Sequence, residues 1–230
     1  MTHLNSRPDA ECPPVSVAAM VSGQGRGSNL AALMEGCRAG NIGARMSVVI
    51  GTRADAPALD RARDAGVPVT VISPRKYEES DSDYGEAILR ALHRNKVDLV
   101  CLAGYMRKLP LSVVTEYRNR IMNIHPALLP FFGGQGMYGE RVHQAVLESG
   151  MKVSGCTVHF VDEEYDSGPI IVQAAVPVLD DDDALALGHR VLEAEHRAYV
   201  EAVRLFAQSS LRVEGRRVRV SPRGESGANL

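Results

Sequence analysis

Short apolar runs alternate with longer amphipathic stretches along most of the chain, and the alternation predicts its architecture. Residues 15–21 (Val-Ser-Val-Ala-Ala-Met-Val) read as a buried strand, broken by the glycines of residues 22–29. A helix follows over about 30–38 and stops at Gly40. Next come a strand at 46–50, a helix at 56–65 closed by Gly66, and a strand at 67–72. A helix over 84–95 leads into 97–103, the most apolar strand of all, and a further strand ends at Asn123-Ile124-His125. Strands and helices in this order imply an α/β fold, a Rossmann-like, mostly parallel sheet with helices on both faces. Residues 155–161 and 170–176 differ, being consecutive strands with no helix between them, and are expected as an antiparallel addition at the sheet edge. The run Asp180-Asp181-Asp182-Asp183 opens a long helix to about 208. Acids suit a helix N-terminus, so the run reads as a cap rather than a metal site.

The ends look different from the middle. Residues 1–14 read as a disordered lead-in, 15–214 as one domain, and the arginine- and glycine-rich 215–230 as a frayed tail. A length of 230 residues, 45% hydrophobic and 23% charged, suits a single large α/β domain with a real core. The net charge of -2 argues against nucleic acid, so an anionic ligand must be held by local groups. No apolar run is long enough to span a bilayer, and the N-terminus lacks a basic-then-apolar signal pattern. Cys12, Cys37, Cys101 and Cys156 are scattered, with Cys101 and Cys156 in apolar runs where buried free thiols are expected. A soluble cytoplasmic protein, monomer or homodimer, is the expectation.

Chemistry concentrates at Asn123-Ile124-His125-Pro126-Ala127-Leu128-Leu129-Pro130. In an extended segment, side chains at i and i+2 leave the same face, so Asn123 and His125 point at one spot. One is a fixed amide donor and the other titrates near neutrality. Pro126 cannot donate to a ladder and ends the strand. A lone Asn-x-His is equally a hydrogen-bonded strand end with a surface histidine. Upstream, the glycine loop fits neither G-x-G-x-x-G nor the Walker pattern. A phosphate monoester suits the loop, with Gly27, Ser28 and Asn29 donating. A tight turn with no ligand suits it as well. Downstream, Thr157, His159 and Val161 share a strand face, followed by acids in a turn fixed by Gly168-Pro169. A carboxylate beside His125 raises its pKa, whereas His159 is as readily structural as it is a lining residue. No H-x-x-x-H, H-E-x-x-H or cysteine pair offers a metal ligand set.

Taken together, these residues resemble the formyltransferases that use 10-formyltetrahydrofolate. The resemblance covers roughly 15–210. It rests on the Ser-Gly…Gly-Ser-Asn-Leu of the glycine loop, Leu102-Ala103-Gly104-Tyr105-Met106-Arg107, and the Asn123–Pro130 octapeptide. His159-Phe160-Val161 with Asp166-Ser167-Gly168-Pro169, and Glu195-His196, complete it. Within that group the chain is similar to those that formylate the amine of 5-phosphoribosylglycinamide in purine synthesis. The resemblance implies that Asn123, His125 and Asp166 are catalytic and that Gly27, Ser28 and Asn29 hold the substrate phosphate. It implies Glu195 at the ribose, and Met106, Arg107, Lys108, Leu109, Asn123, Val161 and Asp162 around the folate, with no metal. Residues 131–139 match a mobile lid.

Three departures stand out. Gly25-Arg26 looks inserted in the phosphate loop, Ser80-Asp81-Ser82 stands where a basic folate contact is usual, and Leu192 replaces a Gln that binds phosphate in some members. The implied alternatives are methionyl-tRNA formyltransferase, formyltetrahydrofolate deformylase, or a non-catalytic nucleotide-binding module. The first two carry added domains for which this chain has no room.

Overall fold

The computed structural model describes residues 13–23 and 25–221. The expected lead-in therefore lies almost wholly outside the described residues, as do Cys12 and Gln24. Among the described residues nine strands form one sheet in the order β3-β2-β1-β4-β5-β6-β7-β9-β8. β1 (Val15–Val21), β2 (Ala44–Gly51), β3 (Val69–Val71), β4 (Leu99–Leu102) and β5 (Ile121–His125) run parallel. β1 and β4 are buried almost throughout, as strands covered on both faces must be. β6 (Val153–Phe160) and β7 (Ile170–Pro177) then join antiparallel, as the sequence predicts. The sheet is covered by α1 (Ser28–Arg38), α2 (Pro57–Asp64), α3 (Asp81–Arg94), α4 (Leu111–Glu116), α5 (Glu140–Glu148) and α6 (Ala184–Ala207).

The chain turns back beside β1: β2 and β3 lie on one side of it, β4 and β5 on the other. In open α/β sheets the crevice at such a reversal, outside the carboxyl ends of the strands, is where ligands bind. Two devices shape that crevice. Tyr199 of α6 is fully buried, and its hydroxyl lies 3.0 Å from the Leu102 carbonyl and 2.9 Å from that of Met122. One proton shared between β4 and β5 thus fixes the long helix to both strands. A register shift between Val158 and His159 leaves His159 opposite Asn123 on β5 and Ile170 on β7. Such bulges redirect side chains next to sites.

Local chemistry explains the boundaries. Asp183 caps α6, its carboxylate accepting from the Ala186 N–H at 2.7 Å, an interaction worth about 1 kcal/mol. Asp182 accepts from Arg190 at 2.6 and 2.8 Å, so the acidic run is indeed used as a helix start. Ser80 likewise caps α3 through the Asp83 N–H. One expectation fails. Arg217–Val220, placed in a frayed tail, form β9, which pairs with β8 (Leu211–Glu214) and touches the sheet edge at Ile170. Arg219 and Arg212 both pair with Glu214, and this offsets the crowding of arginines on a short hairpin. Residues 222–230 of that tail lie outside the described residues. Among the described residues no helix is long and apolar enough to cross a membrane.

Candidate active site

A cavity of about 560 Å³ opens at the reversal point, walled by the ends of β4 and β5, the 134–139 segment, and one stripe of α6. That size is typical of small-molecule sites. Asn123 and His125 both line it, as their i, i+2 spacing on β5 predicts. Asp166 joins them from the loop after β6. The Asp166 backbone is held at φ 52, in the left-handed region that disfavours ordinary side chains. Such strain marks positions fixed by their surroundings. Nearby, a Cβ on Gly168 would come within 1.8 Å of the Phe160 carbonyl, so only glycine lets the loop fold back this closely.

The polar contacts form a closed network. Asp166 Oδ2 lies 3.4 Å from His125 Nδ1, and Asp166 Oδ1 accepts from Asn123 Nδ2 at 3.4 Å. His125 Nε2 is 2.8 Å from the Phe132 carbonyl, and the Gly134 N–H donates to Asp166 Oδ2 at 2.9 Å. A carbonyl only accepts, so Nε2 of His125 carries a proton in every state, and Nδ1 is the nitrogen that titrates. His159 Nδ1 donates to the Phe160 carbonyl at 2.8 Å, and its Nε2 lies 3.2 Å from Asn123 Nδ2 and 3.5 Å from Asp166 Oδ1. The proposed lid therefore engages the trio through two backbone groups of its first residues. Gly133 between them is tight: an added Cβ would lie 2.6 Å from Leu129 and 3.2 Å from Asp166.

Electrostatics qualify one expectation. Burial pushes His125 down; the Asp166 charge and the Phe132 hydrogen bond pull it up without fully compensating, and it ends below the ordinary histidine value. The carboxylate acts in the expected direction, but burial outweighs it. Burial pushes the Asp166 carboxyl up, yet His159, His125 and the Gly134 N–H more than reverse this, so Asp166 stays ionised.

Elsewhere on the cavity wall Asn29 Nδ2 donates to Glu195 Oε2 at 2.8 Å. Glu195 is buried, and desolvation raises its pKa to about 7 against the opposing hydrogen bond from Asn29. Asn29 Oδ1 is sealed without a partner. Asn29 lines the cavity, whereas Gly27 and Ser28 form the start of α1 and do not. That start has no side-chain cap, and Gly27 has φ 69, so its first N–H groups remain available to an anion. Met106, Arg107, Lys108, Leu109, Val161 and Asp162 all line the cavity too. The Met106 N–H is held by Ser22 Oγ at 2.9 Å. Asp162 turns its carboxylate into its own loop, accepting from Ser167 Oγ at 2.7 Å and the Glu164 N–H at 3.1 Å. Ser80-Asp81-Ser82 serves as the N-terminus of α3. Among the described residues no cluster of His, Cys, Asp and Glu is placed to hold a metal ion.

Sequence reasoning overlooked the Phe132 carbonyl, the Gly134 N–H and His143. The backbone groups carry no sequence signal. His143 did carry one, as a histidine on the buried stripe of α5.

Comparison with known proteins adds independent findings. The formyl transferase profile matches residues 15–203. A chloroplastic phosphoribosylglycinamide formyltransferase of Arabidopsis thaliana is 43% identical over 188 residues, covering 82% of this chain and 64% of that protein. The human trifunctional purine biosynthetic protein adenosine-3 is 40% identical over 197 residues, 86% of this chain and 19% of that protein. The chain thus spans less than two thirds of these relatives. The crystal structure of glycinamide ribonucleotide transformylase 1 from Symbiobacterium toebii superposes with a TM-score of 0.84 at 49% identity, covering 90% of this chain and 94% of that one.

Proposed function

The chain belongs to the formyl transferase family, and on that premise we propose that it transfers the formyl group of 10-formyltetrahydrofolate to the amine of 5-phosphoribosylglycinamide. The observation that carries this reading is the trio: an amide and an imidazole converging in one cavity, each 3.4 Å from the same carboxylate. Formyl-folate supplies the formyl carbon; a bond forms from that carbon to the acceptor nitrogen as its bond to the folate nitrogen breaks. Asn123 offers an amide N–H to the formyl oxygen, and His125 offers an Nδ1–H once that nitrogen is protonated. Burial favours the neutral His125 ring in the free protein, and Nδ1 takes up the proton that the attacking amine releases as the formyl oxygen gains negative charge. Asp166, which faces that same Nδ1, stabilises the imidazolium and helps pass the amine proton toward the departing nitrogen.

The ends of the cavity fit the two substrates. The uncapped start of α1, with Gly27, Ser28 and Asn29, suits the acceptor phosphate, and Glu195 suits its ribose hydroxyls. Met106, Arg107, Lys108, Leu109, Val161 and Asp162 form the folate end. The unpaired thiols of Cys37, Cys101 and Cys156 suit a reducing, cytoplasmic setting. The test is the change in folate absorbance when the protein meets formyl-folate with and without the acceptor. Turnover that requires the acceptor supports the reading; turnover with water alone would make the protein a deformylase.

A further inference from the structure

His143 stands outside the trio and has no hydrogen-bond partner among the described residues. It lies on the buried stripe of α5 beside Val142 and Val146, is 7% exposed, and lines the same cavity as His125. Its Nδ1 is sealed and makes no hydrogen bond. A buried polar group left unpaired costs about 1–3 kcal/mol, and each such group in a folded protein calls for a reason. Opposite the ring stands Gly188 of α6, also on the cavity wall. A Cβ there would come within 3.0 Å of Cδ2 and 3.2 Å of Nε2, so glycine is what lets the imidazole approach this helix. Burial first, then the neighbouring His125, push His143 below the ordinary histidine value, which leaves a neutral ring with a single N–H. A sealed, unpaired N–H is rarer than a sealed bare acceptor. The proton therefore belongs on Nε2, at the Gly188 side and the cavity wall.

Gly188, Leu192 and Glu195 follow along α6 at i, i+4 and i+7, one stripe facing the cavity. His143 packs against Gly188 at the start of that stripe and near His125, while Leu192, the next residue along it, offers no hydrogen bond. We propose that His143 is a binding residue for the acceptor, its Nε2–H donating to an uncharged oxygen, an amide carbonyl or a hydroxyl, between the reacting amine and the phosphate. A phosphate would draw the ring toward imidazolium against its burial; a neutral oxygen does not. This inference rests on the acceptor assigned above.

Calorimetry with 5-phosphoribosylglycinamide on the intact protein tests it, beside the KM for each substrate and the melting temperature. His143→Phe should weaken acceptor binding about tenfold, leave the KM for formyl-folate within twofold, and not lower the melting temperature, because an unpaired polar group is removed. His143→Gln, which keeps an N–H, should recover part of the loss. Gly188→Ala, which must displace the ring by a few tenths of an ångström, should weaken the acceptor in the same sense. Unchanged acceptor affinity in His143→Phe and Gly188→Ala, or equal loss for both substrates, would overturn the proposal. No acceptor binding by the wild-type protein would instead overturn the acceptor reading, and this inference with it.

Discussion

Replacing Glu195 by Gln should stabilise the ligand-free protein at pH 8 and lose that advantage by pH 4. Glu195 is 7% exposed and accepts one hydrogen bond, from Asn29. Its carboxyl rises from 4.5 to about 7, with desolvation the leading cause. The folded state therefore holds this proton more tightly than the unfolded chain, and stability from the group is full below pH 4.5 and lost as pH rises to about 7. Each pH unit across that window is worth about 1.4 kcal/mol, so ionising Glu195 costs the empty protein on the order of 3 kcal/mol. Gln cannot ionise, and Asn29 Oδ1, which lacks a partner, can take its amide proton. Urea melts of both proteins at pH 4 and pH 8 measure the difference directly. A gap that grows by about 3 kcal/mol toward pH 8 agrees; a gap independent of pH would show that Glu195 titrates normally and that the cavity end is wetter than described.

Other outcomes follow from the trio. Asn123→Ala and His125→Ala should each lower kcat about a hundredfold, since one donor to developing oxyanion charge is worth roughly 3 kcal/mol, while acceptor affinity by calorimetry stays near wild type. Retention of most of the kcat in His125→Ala would remove it from the chemistry. Asp166→Asn should lower the His125 pKa further, because the carboxylate is the main group pulling it up. An NMR titration of the ring that shows no downward movement would take Asp166 out of that role.

Much of this arrangement was legible in the sequence. The parallel core follows from apolar strands such as 97–103, and the pairing of Asn123 with His125 from a two-residue spacing that an extended chain cannot separate. Other parts were hidden for physical reasons. α4 and α5 span only six and nine residues and are held by packing rather than by any long period. β9 does alternate, Arg-Val-Arg-Val, but its arginines made the segment look like a solvated tail. Asp166 lies 41 residues beyond His125 in the chain, and no local pattern could bring it there; only the family resemblance pointed to it. The tautomer of His125 is set by the Phe132 carbonyl, which is chemically the same in every residue. The fall of His125 below its ordinary value depends on how completely the cavity walls close, a quantity the sequence does not display.

The central claim is that one formyl group passes from folate to a phosphoribosylated amine within this cavity. Incubation with ¹³C-formyl-labelled 10-formyltetrahydrofolate and 5-phosphoribosylglycinamide, followed by NMR, tests it most directly. The account predicts the label as a formamide on the glycinamide nitrogen, formed by the wild-type protein and nearly absent with Asn123→Ala. Label released as formate, or left on the folate, would contradict it.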